Sequence, residues 1–423
     1  MDKPVFEALT VETLPGRLAG IPALKEHVGP SGKSWKVREV GDGNLNLVFI
    51  VEGERGSVVV KQALPYVRLV GDSWPLPLKR SFFEYHALTR QNARDPGMVP
   101  AIHHFDEAQA LIVMDFLSPH VILRRTLIDG RQLPHLARHM GLFMARTLFR
   151  GSDLAMDTAE RKADLALFAG NVELCDITES LVFSDPYFDA PRNRHTSPEL
   201  DGIVARLRAD RDLKVAAQHM KHLFCANAQT MVHGDLHSGS IMVTDKETKV
   251  IDPEFAFYGP MALDTGMYFS NLWMSYFSQR GHEENGSRET MRQWLFATIV
   301  EAWTVFREEF SRLWREERNG ILYQRALFED QGDWLGAEQA LDHFLADLWA
   351  DTLGFAGVEM HRRILGLAHN ADFETIEDAG LRARCETDAL ELGRHLAVNR
   401  RHIHSIEEVN ALAARIYSSA VVR

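Results

Sequence analysis

The segment Met231-Val232-His233-Gly234-Asp235-Leu236-His237-Ser238-Gly239-Ser240-Ile241-Met242-Val243, continued by Lys249-Val250-Ile251-Asp252-Pro253-Glu254, decides how this chain folds. It reads as an apolar strand, a polar loop with one carboxylate, a second apolar strand, and then two carboxylates at i and i+2. Asp252 and Glu254 offer the hard oxygen ligands that Mg²⁺ takes. Asp235, 17 positions before Asp252, is placed to accept a proton from an attacking hydroxyl. A rival reading makes His233, Asp235 and His237 the ligands of a hydrolytic metal, since imidazole suits transition metals. That reading needs the segment to be a strand, whereas Gly234, Ser238 and Gly239 make it a loop.

Working upstream, Ser34–Val40, Asn46–Val51 and Ser57–Gln62 are apolar, β-branched runs parted by glycine turns, the pattern of a β-meander. A helix is expected over Lys79–Arg90 and a further strand pair over Ile102–Met114. Beyond Leu117 the character changes. Leu133–Arg150, Ser197–Ala226, Glu289–Trp314 and Ala337–Ala356 carry helical periodicity, with one strand-like interruption at Ile241–Asp252. The expected class is therefore α+β, with a β-rich N-terminal lobe over 1–117, a hinge at about 114–120, and a mostly helical lobe over 118–423.

Two glycine loops bear on nucleotide binding. Gly29-Pro30-Ser31-Gly32-Lys33-Ser34 ends like a P-loop, but His27 stands where the leading glycine belongs and a strand follows instead of a helix, so it reads as a turn. Gly41-Asp42-Gly43-Asn44-Leu45-Asn46 lacks the third glycine of a dinucleotide fingerprint. It lies between two strands, as a plain hairpin turn or a phosphate-covering flap would. Lys61 closes the third strand on the face opposite Val60. Glu84 follows 23 positions later on the expected helix, as a partner for that lysine.

The chain has 423 residues, enough for two lobes, and 45% apolar and 25% charged residues exclude wholesale disorder. A net charge of −12, from 47 basic and 59 acidic residues, gives no general pull toward nucleic acid or anionic membrane. Cys175, Cys225 and Cys385 are far apart, which argues against a disulfide scaffold and for a reducing compartment. No signal peptide and no membrane span are expected, so the expected location is cytoplasmic.

Together the HGDLH loop and the acidic motif resemble the aminoglycoside-phosphotransferase and choline-kinase branch of the protein-kinase-like fold. Most of that branch has asparagine five positions after the loop Asp, as a metal ligand. Here Ser240 stands there, and Glu254 supplies a second carboxylate in its stead. The combination of GDGNLNLVF, GDLHSGS and IDPEFAFYGPMALDTG resembles the methylthioribose kinase family over essentially the whole chain. The resemblance implies a bilobal kinase-like fold, with ATP and Mg²⁺ as cofactors. Its reaction is ATP-dependent phosphorylation of 5-methylthioribose at the anomeric 1-hydroxyl, a step of methionine salvage, by a homodimer.

Residue by residue, the resemblance implies that Gly43 and Asn44 contact ATP from the flap and that Lys61, with Glu84, serves the phosphates. It implies that Asp115, Phe116 and Leu117 form the adenine link through backbone groups, although the family often has a more acidic link. Asp235 matches the catalytic base and Asp252 with Glu254 the metal pair. Arg362 and Arg363 match a twin arginine at the substrate and the transferring phosphate. From the residues alone those arginines would be a solvated helix pair. Asp264 is expected to hold the catalytic-loop backbone, and Trp74 to be a packing anchor. Kinases of choline, homoserine or another sugar, and a nucleotide-binding scaffold without turnover, are the alternatives. The scaffold is disfavoured because the lysine, the base and both metal carboxylates are all present.

Overall fold

The computed structural model describes residues 6–30, 34–40, 46–67 and 71–419. The glycine loop at 41–45, with Gly43 and Asn44, lies outside the described residues, as do 31–33 of the P-loop-like turn and the Trp74 side chain. The chain divides into two compact units, one of residues 1–120, 171–174 and 249–256, the other of 121–170, 175–248 and 257–423. The eight residues 249–256, which carry Asp252 and Glu254, thus belong to the first unit.

That first unit is built on a five-stranded antiparallel sheet of β1 (Lys36–Glu39), β2 (Asn46–Glu52), β3 (Ser57–Ala63), β4 (Ile102–Asp106) and β5 (Leu111–Asp115), with helix α1 (Arg80–Arg94) between β3 and β4. The strand order is β1-β2-β3-β5-β4, and Lys61 lies opposite Val48 on one side and Ile112 on the other. Period-two alternation sorts β3 by face. Val58 and Val60 are fully buried, in a core shared with Phe49, Val51, Leu111 and Val113. Leu14, Leu18 and Leu24, from the short helices Leu14–Leu18 and Pro22–His27, complete that core. The sequence reading passed over these two helices. Gln62, on the same face, ties the N-terminal segment down: its Oε1 accepts from the Leu9 N–H at 2.8 Å. Lys61 is left on the other face, toward Glu84 of α1.

The second unit is mainly helical. Its relevant elements are α2 (Leu123–Ile128), α3 (Leu136–Arg150), strands β6 (Thr230–Val232) and β7 (Phe257–Gly259), and helices α4 (Met261–Ser278), α5 (Glu289–Glu316), α6 (Trp334–Leu365) and α7 (Ala379–Asn399). Every residue of α4 is buried, which makes it the axis of the unit, and α6 and α7 both pack on it. Two spans differ from the sequence reading. The stretch 197–226 is two helices, Asp201–Ala209 and Arg211–Ala226, because Asp210 leaves helical geometry and caps the second by accepting from the Leu213 N–H at 3.0 Å. The helix expected to end at Ala356 runs on to Leu365, its last turns buried on all sides. None of the helices among the described residues is long and apolar enough to cross a membrane.

Burial pushes the Glu386 carboxyl of α7 up to about 7, against a Thr196 hydrogen bond and the charge of Arg382. A carboxyl raised on folding contributes stability below the ordinary carboxylate range and loses it as pH rises through the folded value. Between about pH 5.5 and pH 8 the melting temperature of Glu386→Gln should therefore fall less than that of the unaltered chain, as read in a thermal-shift series. An equal fall in both would show that Glu386 does not titrate there.

Candidate active site

In the first unit, β3, α1 and the 249–256 segment bring three carboxylates and two cations together. Lys61 Nζ donates to Glu84 Oε1 at 2.9 Å and also pairs with Asp252 Oδ1. Arg80 and Asn46 hold the third carboxylate. Asn46 Nδ2 donates to Glu254 Oε2 at 3.2 Å, Arg80 Nε stands 3.4 Å from the same oxygen, and Arg80 Nη2 donates to Asn46 Oδ1 at 3.1 Å. Carboxylate oxygens of Glu84, Asp252 and Glu254 lie within 4.8 Å of one another, with Glu84 and Glu254 buried and the Asp252 side chain 45% exposed.

The electrostatics follow from that crowding. Burial pushes Glu84 up to about 7, against the pull of Lys61, and Glu254 is also raised by burial. Burial opposes the Lys61 charge, but Asp252, Glu84 and Glu254 outweigh it, and its pKa rises. Among the described residues three carboxyls stand against two cations here, so a further cation is favoured. All three donors are hard oxygens, which suits Mg²⁺ and not a thiol- or imidazole-seeking metal. Asp252 has φ +68°, a left-handed backbone that few residues other than glycine adopt and that aspartate and asparagine reach more readily than the rest.

The link expected to meet adenine, Asp115 to Leu117, is half-buried. Asp115 ends β5, where its Oδ1 lies 2.8 Å from His103 Nε2 and its Oδ2 accepts from the Ala101 N–H at 3.0 Å. Its backbone N–H donates to Ala101 O at 3.0 Å, so both the N–H and the carboxylate are engaged with the residues at the start of β4.

In the second unit, β6 pairs with β7 and delivers the loop 233–240. Gly234 has φ +85°, the left-handed turn that sets Asp235 out from the strand. Asp264, in the first turn of α4, clamps the loop, accepting from the His233 N–H at 2.7 Å and the Gly234 N–H at 3.0 Å. This is the backbone-holding part expected of it. Ser240, in the position of the branch's asparagine, spends its hydroxyl on the Asp235 carbonyl at 3.0 Å and so closes the loop.

The Asp235 carboxylate sits in a ring of donors. Arg362 Nη1 and Arg363 Nη2 donate to its Oδ1 at 3.3 and 3.1 Å, and His237 Nε2 lies 3.2 Å from its Oδ2. Burial opposes its charge, but His237, Arg362 and Arg363 overcome that and hold it well below the usual carboxylate range. The arginines are therefore no solvated pair. They are 7% and 5% exposed, at the buried end of α6. Glu359, fully buried one turn earlier, anchors both, with Arg363 Nε at 2.6 Å and Arg362 Nη1 at 3.1 Å. Sequence reasoning missed Glu359, though its i, i+3 and i, i+4 spacing to two arginines was the available signal. It missed Arg124 as well, which donates to Ser238 Oγ at 3.1 Å and has no local signature. Among the described residues, the three carboxylates of Glu84, Asp252 and Glu254 come together with metal-like spacing, and the rival set of His233, Asp235 and His237 does not.

Residues 36–303 match the phosphotransferase enzyme family. The chain is 46% identical over 407 residues to a methylthioribose kinase of Escherichia coli O45:K1 (strain S88 / ExPEC), covering 96% of each chain. It is 44% identical to methylthioribose kinase 1 of Oryza sativa subsp. japonica, covering 96% of this chain and 94% of the other. To a methylthioribose kinase of Geobacillus sp. (strain WCH70) it is 40% identical, covering 99% of both.

Proposed function

We propose a mechanism from the premise that the chain belongs to the methylthioribose kinase family, within the phosphotransferase enzyme family. The protein is a small-molecule kinase of methionine salvage and phosphorylates methylthioribose from ATP. In our reading, the anomeric 1-hydroxyl donates to Asp235 and loses its proton to it as the bond to the γ-phosphorus forms, with ADP as leaving group. Kinase transition states are loose, so positioning and charge balance carry most of the rate. A carboxylate as well stabilised as Asp235 is a weak base, so it orients the hydroxyl first and takes the proton late. Arg362 and Arg363, buried forks with oxygen-seeking donors, balance the charge on the transferring group and sugar.

On the nucleotide side, Lys61 held by Glu84 serves the phosphates, Gly43 and Asn44 the flap, and Asp115, Phe116 and Leu117 the adenine. Asp252 and Glu254 fit Mg²⁺ by their donor chemistry and would hold it, and the bound ion would neutralise phosphate charge. We further propose a cytoplasmic homodimer; three free thiols suit a reducing compartment.

The observation that carries this mechanism is the Asp235 carboxylate gripped by two buried arginines. The deciding test is ADP release with and without methylthioribose, with the product located by ³¹P NMR. Turnover of choline or homoserine in its place would overturn the substrate. Glu254→Gln should raise the half-saturating Mg²⁺ at least about tenfold, since even outer-sphere partners cost that much, with recovery at excess Mg²⁺ or Mn²⁺. An unchanged Mg²⁺ titration would remove Glu254 from the metal.

A further inference from the structure

We propose that His237 is a positioning residue for phosphoryl transfer: as the neutral tautomer protonated on Nε2, it holds the Asp235 carboxylate in the orientation that receives the sugar hydroxyl. The inference rests on the reading of Asp235 given above and deepens it.

The tautomer follows from what surrounds the ring. The Gly239 backbone N–H donates to His237 Nδ1 at 2.8 Å, and Arg124 Nη2 stands 3.3 Å from the same nitrogen. An amide N–H and a guanidinium only donate, so Nδ1 carries no proton. The proton of a neutral imidazole must then be on Nε2, 3.2 Å from Asp235 Oδ2, which only accepts. Burial, set against the pull of Asp235 and reinforced by Arg363 and Arg124, lowers the imidazole to about 4. The ring is thus neutral at working pH, with no lone pair left for a metal and none for a substrate proton.

The surroundings are shaped for this ring. A Cβ on Gly239 would meet His237 Cε1 at 2.6 Å and Nδ1 at 2.8 Å, so the approach requires glycine there. Arg124 is itself held, by Ser238 Oγ at 3.1 Å, Asn271 Oδ1 at 3.3 Å and Asp372 Oδ2 at 3.4 Å. Both arginines of α6 grip Oδ1 of Asp235. With Oδ1 tethered alone, the carboxylate can swing about its Cβ–Cγ bond. The His237 contact to Oδ2 removes that freedom.

Glutamine places its amide nitrogen about where Nε2 lies, whereas asparagine reaches only as far as Nδ1. His237→Asn should therefore lower kcat at least about tenfold while KM for ATP and for methylthioribose moves less than about threefold. His237→Gln should stay within about threefold of the unaltered enzyme. Gly239→Ala, which displaces the ring, should follow His237→Asn. Long-range ¹H–¹⁵N spectra of the histidine-labelled enzyme, with the His237 signals assigned by their loss in His237→Gln, should show Nε2–H from about pH 6 to 8. Equal impairment of the Gln and Asn variants at unchanged melting temperature, or a proton on Nδ1 at neutral pH, overturns the proposal. If His237→Asn does not fold, the spectrum decides alone. If the unaltered enzyme does not phosphorylate methylthioribose, the reaction assigned above fails, while the tautomer stands or falls on the spectrum.

Discussion

Asp235→Asn lowers methylthioribose-dependent turnover by about 10²–10⁴-fold, the usual cost of a lost general base, and leaves ATP binding nearly intact. The substitution keeps the size of the side chain and removes its acceptor character on one side. Asp235 accepts from two arginines on Oδ1 and faces a histidine N–H on Oδ2. An asparagine amide must turn its NH₂ toward one of these donor sets, so it loses alignment as well as basicity. Coupled ADP release and calorimetric ATP titration separate the two effects. Near-wild-type turnover would show that the base lies elsewhere.

The second large effect is at Arg363. Its Nε and Nη2 bind Glu359 and Asp235 at 2.6 and 3.1 Å, and it is 5% exposed. Arg363→Met removes one partner from a buried charge network, a change that costs about 3–5 kcal/mol because the anions left behind stay buried. Arg363→Lys keeps the charge but not the planar fork, and should still lose at least about tenfold in turnover, roughly 1.4 kcal/mol of transition-state stabilisation. Urea unfolding and steady-state kinetics check the two variants. A surface arginine would shift stability by no more than about 0.5 kcal/mol, so a result that small would contradict the burial.

Several of the candidate residues were legible because they stand close together in the chain. Asp235 and the Asp252/Glu254 pair stand within one strand-loop-strand segment, and alternation alone put Lys61 on the face opposite Val60. The α+β class was likewise readable from a strand-rich start followed by helical periodicity, and the kinase-like fold from the resemblance carried by the HGDLH loop and the acidic motif. What stayed hidden was long-range or counter to hydropathy. The last turns of α6 carry Glu359, Arg362 and Arg363, and such charges read as a solvated helical patch, so their burial was not legible. Their burial depends on α6 packing against α4 and α7, a tertiary fact. Arg124 and Asp372 are 248 positions apart and meet only in the folded unit. The break at Asp210 was missed because periodicity continues on both sides of it.

The left-handed backbone at Asp252 narrows what this position can become. Asparagine tolerates that conformation but brings no charge; glutamate keeps the charge but has no special ease in that region; glycine accepts the backbone and offers no ligand. Each of these is one base change from an aspartate codon, and each satisfies only one of the two demands. Neutral drift therefore has no short route through position 252. Glutamate, the one of the three that keeps the charge, would first need the turn around it rebuilt.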